Sequence, residues 1–339
     1  MESRSGFGTS ENRFRYSMSC PRSFALLLRA APLPTTTLKT SHGGSVMRST
    51  TLFKQYLQAP EILMIPVAHD VLCAKILQGT GFKAVGCTSA TSAAAMFGGP
   101  DLGMLTLHEM ADAVWRMVDA VDVPVWAGAA DGCANTADVQ HTVRAFEQAG
   151  AASLMLGDGI AAGLDDRRSD KQVVGMDELA ARIKAAVDVR VDRDFTILAR
   201  TNAIAVHGLA NAVERAELCL EAGADWVLLD APEGCGQLRR IPQLLSAPTL
   251  ARMGLGDRTP VLPANELQAM GYAAVVWPNA VTLAYAKLAA DFAAELMRSG
   301  STAGYHELMA EPDVLDDLLC MPVAAPLRTG RVSREPVFA

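Results

Sequence analysis

Residues 121–135 read VDVPVWAGAADGCAN. Val123, Val125, Trp126 and Ala127 make an apolar run entered through Pro124, the pattern of a buried strand. The run breaks into Gly128-Ala129-Ala130-Asp131-Gly132-Cys133, too rich in Gly and Ala to continue a strand, and residues 137–148 follow with amphipathic helical spacing. A strand ending in a small-residue loop before a helix is the joint at which α/β folds carry their chemistry. Only Asp131 and Cys133 bring functional side chains to this one.

The same alternation extends in both directions. Apolar strand patterns are expected at 62–68, 84–87, 124–127, 153–156, 195–199, 226–229, 249–253 and 273–277. Helical spacing is expected at 70–78, 107–120, 176–187, 209–222, 238–245, 264–270 and 281–297, with Gly223 closing the 209–222 helix. Eight β units, most followed by helical material, predict a (β/α)8 TIM barrel over residues 47–300 rather than a doubly wound sheet. Residues 159–172, rich in charge and glycine, read as a mobile loop. Residues 301–339 form a tail with one more helical stretch at 314–319, and no repeat of solenoid period is visible. Residues 1–46 stand apart: Arg/Ser-rich and acid-poor, they suit either an organellar transit peptide or an over-extended start ahead of Met47.

Composition narrows the function. Of 339 residues half are hydrophobic but only 6% aromatic, so Ala, Val and Leu must build the core. A net charge of −7, with both signs scattered, argues against a nucleic-acid surface and gives no basic membrane patch. The apolar runs are too short to span a membrane. Seven cysteines without CxxC or zinc-type spacing indicate reduced, mostly structural thiols and a reducing compartment, the cytoplasm, or an organelle if residues 1–46 are a transit peptide.

In a barrel the active site lies at the carboxyl ends of the strands. Those ends carry Thr88 and Ser89, Asp131, Asp158, Arg200 and Asp230, with Asp101 and Arg252 in nearby loops. Guanidinium pairs with carboxylate and a Thr/Ser turn offers backbone donors, so the set suits a small 2-oxo or 2-hydroxy acid. Each residue also has an ordinary role: Arg200 as the ion-pair partner of Asp230 or Asp158, Asp101 as a loop acid, Thr88 as a strand end. Cys87 and Cys133 lack a well-placed His and are expected to be inert, while His69 and His141 are expected at a helix start and on a helix surface.

From Met47 to about Met297 the chain resembles the isocitrate lyase/phosphoenolpyruvate mutase superfamily, in particular its methylisocitrate lyase and carboxyphosphonoenolpyruvate mutase types. The resemblance rests on Pro66-Val67-Ala68-His69-Asp70, Gly99-Pro100-Asp101-Leu102-Gly103 with Leu105-Thr106, and Ala199-Arg200-Thr201-Asn202-Ala203. Glu221-Ala222-Gly223-Ala224-Asp225, Arg258-Thr259-Pro260 and Gly271-Tyr272 follow in the same order. It implies a barrel, a homotetramer or homodimer with the last barrel helix exchanged between subunits, and Mg²⁺ held by an Asp-x-Asp pair and a Glu-Asp pair. Here those positions read Gly128 and Ala130, and Gly157-Asp158, while the lyases' Lys-Arg-Cys-Gly-His motif aligns with Gly163-Leu164-Asp165-Asp166-Arg167. Arg252 replaces an Asn and Asp230 a Glu.

The expectation is therefore a superfamily enzyme that makes or breaks a C–C bond through an enolate-like state. Asp101, Arg200 and Asp131 are the catalytic candidates, and Thr88, Ser89, Arg200, Arg252 and Asp230 would bind substrate. Asp131 and Asp158 are the residues from which a metal site would be rebuilt, and isocitrate or methylisocitrate lyase activity itself is not expected. A non-catalytic carboxylate-binding barrel, or a subunit of a mixed assembly, is the alternative.

Overall fold

Eight parallel strands alternate with helices around a common axis. The structure, a computed structural model, describes residues 47–129, 135–160, 172–256 and 259–319. The strands are β1 Leu63–Ala68, β2 Val85–Thr88, β3 Val125–Gly128, β4 Ser153–Gly157, β5 Thr196–Thr201, β6 Trp226–Leu229, β7 Leu250–Arg252 and β8 Ala274–Trp277. They pair in the order β6-β5-β4-β3-β2-β1-β8-β7, and a parallel bridge between Val227 and Thr249 brings β6 back to β7 and closes the barrel. The helices are α1 Ser49–Gln58, α2 Val71–Gly79, α3 Ser89–Phe97, α4 Leu107–Ala120, α5 Thr136–Gln148, α6 Met176–Val189 and α7 Ala203–His207. They continue as α8 Leu209–Glu221, α9 Gly234–Leu244, α10 Ala264–Met270, α11 Ala280–Ser299 and α12 Pro312–Leu318.

Side chains alternate across each strand, so every strand feeds two cores. Leu63, Ile65 and Val67 of β1, Trp126 of β3, Met155 of β4, Leu198 of β5, Trp226 and Leu228 of β6, Leu250 of β7 and Val276 of β8 fill the lumen. The intervening residues, such as Leu154, Leu156, Ala199, Leu229 and Ala251, face the helices. Helix α1 plugs the amino end of the lumen. Its Phe53 is fully buried and meets Trp226 edge-on at 5.6 Å, and burial of Phe53 and Leu57 contributes about 2–3 kcal/mol each. The Thr50 and Thr51 hydroxyls fasten α1 by donating to Asp192 and Asp194, both at 2.8 Å.

Three helices, α1, α3 and the short α7, depart from the sequence expectation. Residues 88–92, read there as a turn, begin α3: Thr88 is its N-cap, its Oγ1 accepting from the Thr91 amide at 3.4 Å. Helix α1 carries no start signal in its own sequence, since the cap residue Arg48 makes no side-chain cap bond, and its packing under the lumen is what fixes it. Helix α11 matches the long helix expected at 281–297 but buries none of its residues, and Leu283, Tyr285, Leu288, Leu296 and Met297 are exposed. Among the described residues no helix is long and apolar enough to cross a membrane.

Candidate active site at the carboxyl end of the barrel

Strand alternation decides which polar residues reach the lumen. Arg200 follows lumen-facing Leu198 by two, Asp230 follows Leu228 and Arg252 follows Leu250, so all three project into the carboxyl end of the barrel. Arg200 donates from Nε (3.1 Å) and Nη2 (2.6 Å) to Asp230 Oδ2, and Nη2 also reaches Asn202 Oδ1 at 3.1 Å. Arg252 Nη1 lies 3.7 Å from Asp230 Oδ1, so one carboxylate, only 2% exposed, is bracketed by two guanidiniums. Asp230 Oδ1 also accepts the Ala231 amide at 2.9 Å. Ala231 has φ 59, a left-handed conformation unfavourable for a residue with a β-carbon. Backbone strain of this sort is held in place by its surroundings, here the Asp230 bond and the Thr259 hydroxyl donating to the neighbouring Pro232 carbonyl at 3.0 Å.

Asp158 goes the other way. It follows helix-facing Leu154 and Leu156, so it lies behind the sheet, fully buried. Its Oδ2 accepts from the Thr201 hydroxyl at 2.6 Å and from Arg215 Nη1 at 3.4 Å, and its Oδ1 from the Asn202 amide and side chain at 2.9 and 3.3 Å. Arg215 also donates to the Val174 carbonyl at 2.7 Å and from Nε to Asn211 at 2.9 Å. The expectation that Asp158 helps rebuild a metal site fails on this geometry: both oxygens are taken and they point away from the lumen. The alternative in which Arg200 pairs with Asp158 fails for the same reason, whereas its pairing with Asp230 is present.

Thr88 and Ser89 lie at the start of α3 rather than in a turn. The Thr88 hydroxyl is engaged with Thr91, and its methyl faces β3. Asp101 sits half-buried in the α3–α4 connection, its Oδ1 accepting the Gly103 amide at 3.3 Å. Asp131, Cys133 and residues 163–167 lie outside the described residues. His69 precedes the α2 cap, as expected, and stacks on Tyr285 of α11 at 5.4 Å, while exposed His141 lies 6.2 Å from the ring of His108.

Asn202 and Arg215 were not singled out as site residues in the sequence. A polar residue two places past Arg200 is a signal for the first, but Arg215, 4% exposed in a helix of ordinary amphipathic pattern, gives none. Burial pushes the Cys87 thiol up to about 11, which disfavours the reactive thiolate. Burial, reinforced by the charge of Asp158, pushes Cys219 up to about 12. Cys235 is exposed.

Parallel strands closed into a barrel, with a charged cluster at their carboxyl ends, define a (β/α)8 architecture. The chain belongs to the phosphoenolpyruvate mutase/isocitrate lyase superfamily: the family model for phosphoenolpyruvate phosphomutase matches residues 53–297. It is 36% identical over 273 residues to 2,3-dimethylmalate lyase of Eubacterium barkeri, covering 80% of this chain and 94% of that one. It is 32% identical over 258 residues to 2-methylisocitrate lyase of Vibrio cholerae, covering 74% and 83%. Among solved structures, oxaloacetate acetylhydrolase in complex with 3,3-difluorooxalacetate superposes with a TM-score of 0.75 at 26% identity, covering 80% of this chain and 93% of that one. Superfamily members act on small carboxylates, as lyases and mutases among others.

Superfamily members typically use Mg²⁺. The described residues of this chain do not fit that ion. A hard cation needs several oxygen ligands, mostly carboxylates and waters. Gly128 and Gly157, at the lumen-facing ends of β3 and β4, have no side chain to offer. A β-carbon at 128 would stand 3.1 Å from Thr88 Cγ2 and 3.2 Å from Met155 Cε, so the place is already lined by two methyl groups. Among the described residues no three His, Cys, Asp or Glu side chains converge as an ion would require.

Proposed function

We propose that the chain makes or breaks a carbon–carbon bond in a small 2-oxo or 2-hydroxy carboxylate at the carboxyl end of the barrel, through an enolate-like state. The observation that carries this is the bracketing of buried Asp230 by Arg200 and Arg252. Asp230 orients both guanidiniums and is itself charge-compensated. Arg200 then clamps the substrate carboxylate, with the amides at the start of α3, around Thr88 and Ser89, as additional donors. Fixed donors in a water-poor pocket stabilise developing oxyanion charge without reorganising. Asp101 and Asp131 are the acid–base candidates.

The test is an assay of the purified protein against a panel of malate, oxaloacetate, 2,3-dimethylmalate, isocitrate and 2-methylisocitrate, following release of 2-oxo acid or, for oxaloacetate, its hydrolysis to oxalate and acetate. Turnover of at least one of the first three is expected, with Arg200→Ala lowering kcat/KM at least about 100-fold. Efficient cleavage of isocitrate or 2-methylisocitrate contradicts the proposal. A second reading, a non-catalytic barrel that binds a carboxylate, is favoured by glycine at the lumen-facing ends of β3 and β4, Gly128 and Gly157. It predicts thermal stabilisation by the same compounds with no turnover.

Helix α11, with no buried residue, supports assembly into a homodimer or homotetramer in which this helix packs on a second copy. Light scattering on the purified chain tests this, and a monomer at micromolar concentration refutes it. The buried free thiols suit a reducing compartment such as the cytoplasm.

A further inference from the structure

The two halves of the barrel mouth are chemically unequal. On the described strand ends, the β5–β7 half carries Arg200 and Arg252 around the carboxylate of Asp230. Among the described residues, the β2–β4 half presents the Thr88 methyl, Gly128, Met155 and Gly157, with no charged side chain on the lumen-facing positions of its strands. We infer that in this chain Arg252 supplies the positive charge at the ligand's second oxygen, the carbonyl, hydroxyl or enolate oxygen beside the carboxylate, and that the site works without a divalent ion. This rests on the carboxylate reading of the mouth given above.

Three features of the barrel mouth lead there. The first is the charge balance: a divalent cation entering the mouth meets two guanidiniums and, on the described strand ends, a single carboxylate that already serves both. The second is the lining. The space next to Gly128 is lined by Thr88 Cγ2 and Met155 Cε, 3.1 and 3.2 Å from where a β-carbon at 128 would stand, so the mouth there presents methyl groups rather than oxygen ligands. The third is orientation: Asp158, the acid next to Gly157, is on the far side of the sheet and fully committed to Thr201, Asn202 and Arg215. Arg252, by contrast, ends its strand on the lumen side, and its anchor Asp230 leaves its planar donor fork aimed by a second, fixed carboxylate oxygen. A guanidinium supplies charge and directed donors at neutral pH with no proton exchange, which suffices to hold an oxyanion.

The experiment uses the full chain and malate as probe. Protein stripped with EDTA is titrated with malate by calorimetry in EDTA and again in excess Mg²⁺, for the wild type, Arg252→Gln and Arg252→Lys. Mn²⁺ binding to the free and malate-loaded wild type is measured separately by electron paramagnetic resonance. The expected result is equal malate affinity in EDTA and Mg²⁺, a loss of about 10- to 100-fold in Arg252→Gln, partial recovery in Arg252→Lys, and no Mn²⁺ bound at micromolar concentration. Thermal melts of the unliganded variants confirm folding, which Arg252→Gln should preserve because Asp230 keeps its two bonds from Arg200. Malate binding that requires Mg²⁺, micromolar Mn²⁺ binding, or an Arg252→Gln variant with undiminished affinity each overturns the inference. Absence of malate binding in every condition overturns the carboxylate reading itself and the role of Arg252 with it. The Mn²⁺ measurement distinguishes that failure from one caused by a metal site.

Discussion

Gly128 is the position where packing can be read most directly. It ends β3 with an ordinary backbone conformation, so replacing it by Ala brings no backbone strain and should gain about 0.4–1 kcal/mol by restricting the unfolded chain. Against this, the new methyl stands 3.1 Å from Thr88 Cγ2 and 3.2 Å from Met155 Cε, where carbon atoms prefer about 3.5–4.0 Å. Overpacking of this kind costs about 1–3 kcal/mol, so the net effect of Gly128→Ala should lie between about no change and a loss of about 2.6 kcal/mol. Met155→Ala, which truncates a buried lumen side chain, should lose about 2–5 kcal/mol alone. In the double variant the contact with Cε is gone, while the contact with Thr88 Cγ2 and the entropic gain are the same as in Gly128→Ala alone. The two losses should therefore fall short of additivity by the Met155 share of the overpacking cost, about 0.5–1.5 kcal/mol. Urea denaturation followed by tryptophan fluorescence reads this, because Trp126 and Trp226 are buried in the same lumen. Losses that add to within about 0.5 kcal/mol refute the claim that Met155 occupies the space beside Gly128.

Removing Asp158 by substitution with Ala leaves Arg215 buried without its carboxylate and should cost about 3–5 kcal/mol in the same denaturation assay. Cysteine mapping by alkylation and mass spectrometry at pH 8 should label Cys235 rapidly and leave Cys73, Cys87 and Cys219 protected. All three are buried with their thiols pushed above the ordinary range, and fast labelling of Cys87 contradicts the packing of β2. Acid should loosen α1. Burial alone would raise Asp192, but the Asp194 amide and the Thr50 hydroxyl overcome it, and the Thr51 hydroxyl and Lys54 lower Asp194, so both carboxyls lie below their ordinary value when folded. Their stabilising effect is then complete above the unfolded value of about 4 and disappears as pH falls through the folded values. The melting-temperature gap between wild type and Thr51→Ala should be constant from pH 7 to 5 and narrow below pH 4; a gap that widens in acid refutes the assignment.

The barrel was legible because its strands are short apolar runs bounded by Gly, Pro and Asp, and because amphipathic spacing is unambiguous in segments such as 107–120 and 264–270, where structure and expectation coincide. Helix α3 was not, since SATSAAAMF has too few large apolar residues to display a period, and its start is set by the Thr88 cap. Helix α1 was missed for a different reason: Phe53 and Leu57 are core residues only because the amino end of a closed barrel waits for a plug. The charged cluster was half legible. Arg200, Asp230 and Arg252 could be named from their places at strand ends, but their mutual pairing is a contact across β5, β6 and β7 that no local pattern encodes.

The difference between Asp158 and Asp230 shows how a single position along a strand sets chemistry. Each is a fully or nearly fully buried acid at the carboxyl end of a strand, and each is paired with an arginine. Asp230 stands an even number of residues from lumen-facing Leu228, and so enters the barrel mouth; Asp158 stands an odd number from lumen-facing Met155, and so faces the helices. An acid at 157 would have entered the mouth opposite Arg200, its register partner on β5. With glycine there and the acid at 158, the negative charge is spent instead on fixing Thr201 and Asn202, the residues that follow Arg200. The same carboxylate that is lost to the lumen as a ligand thus holds in place the backbone beyond Arg200. Glycine at 157 and aspartate at 158 together leave the mouth to arginine and strengthen the structure behind it.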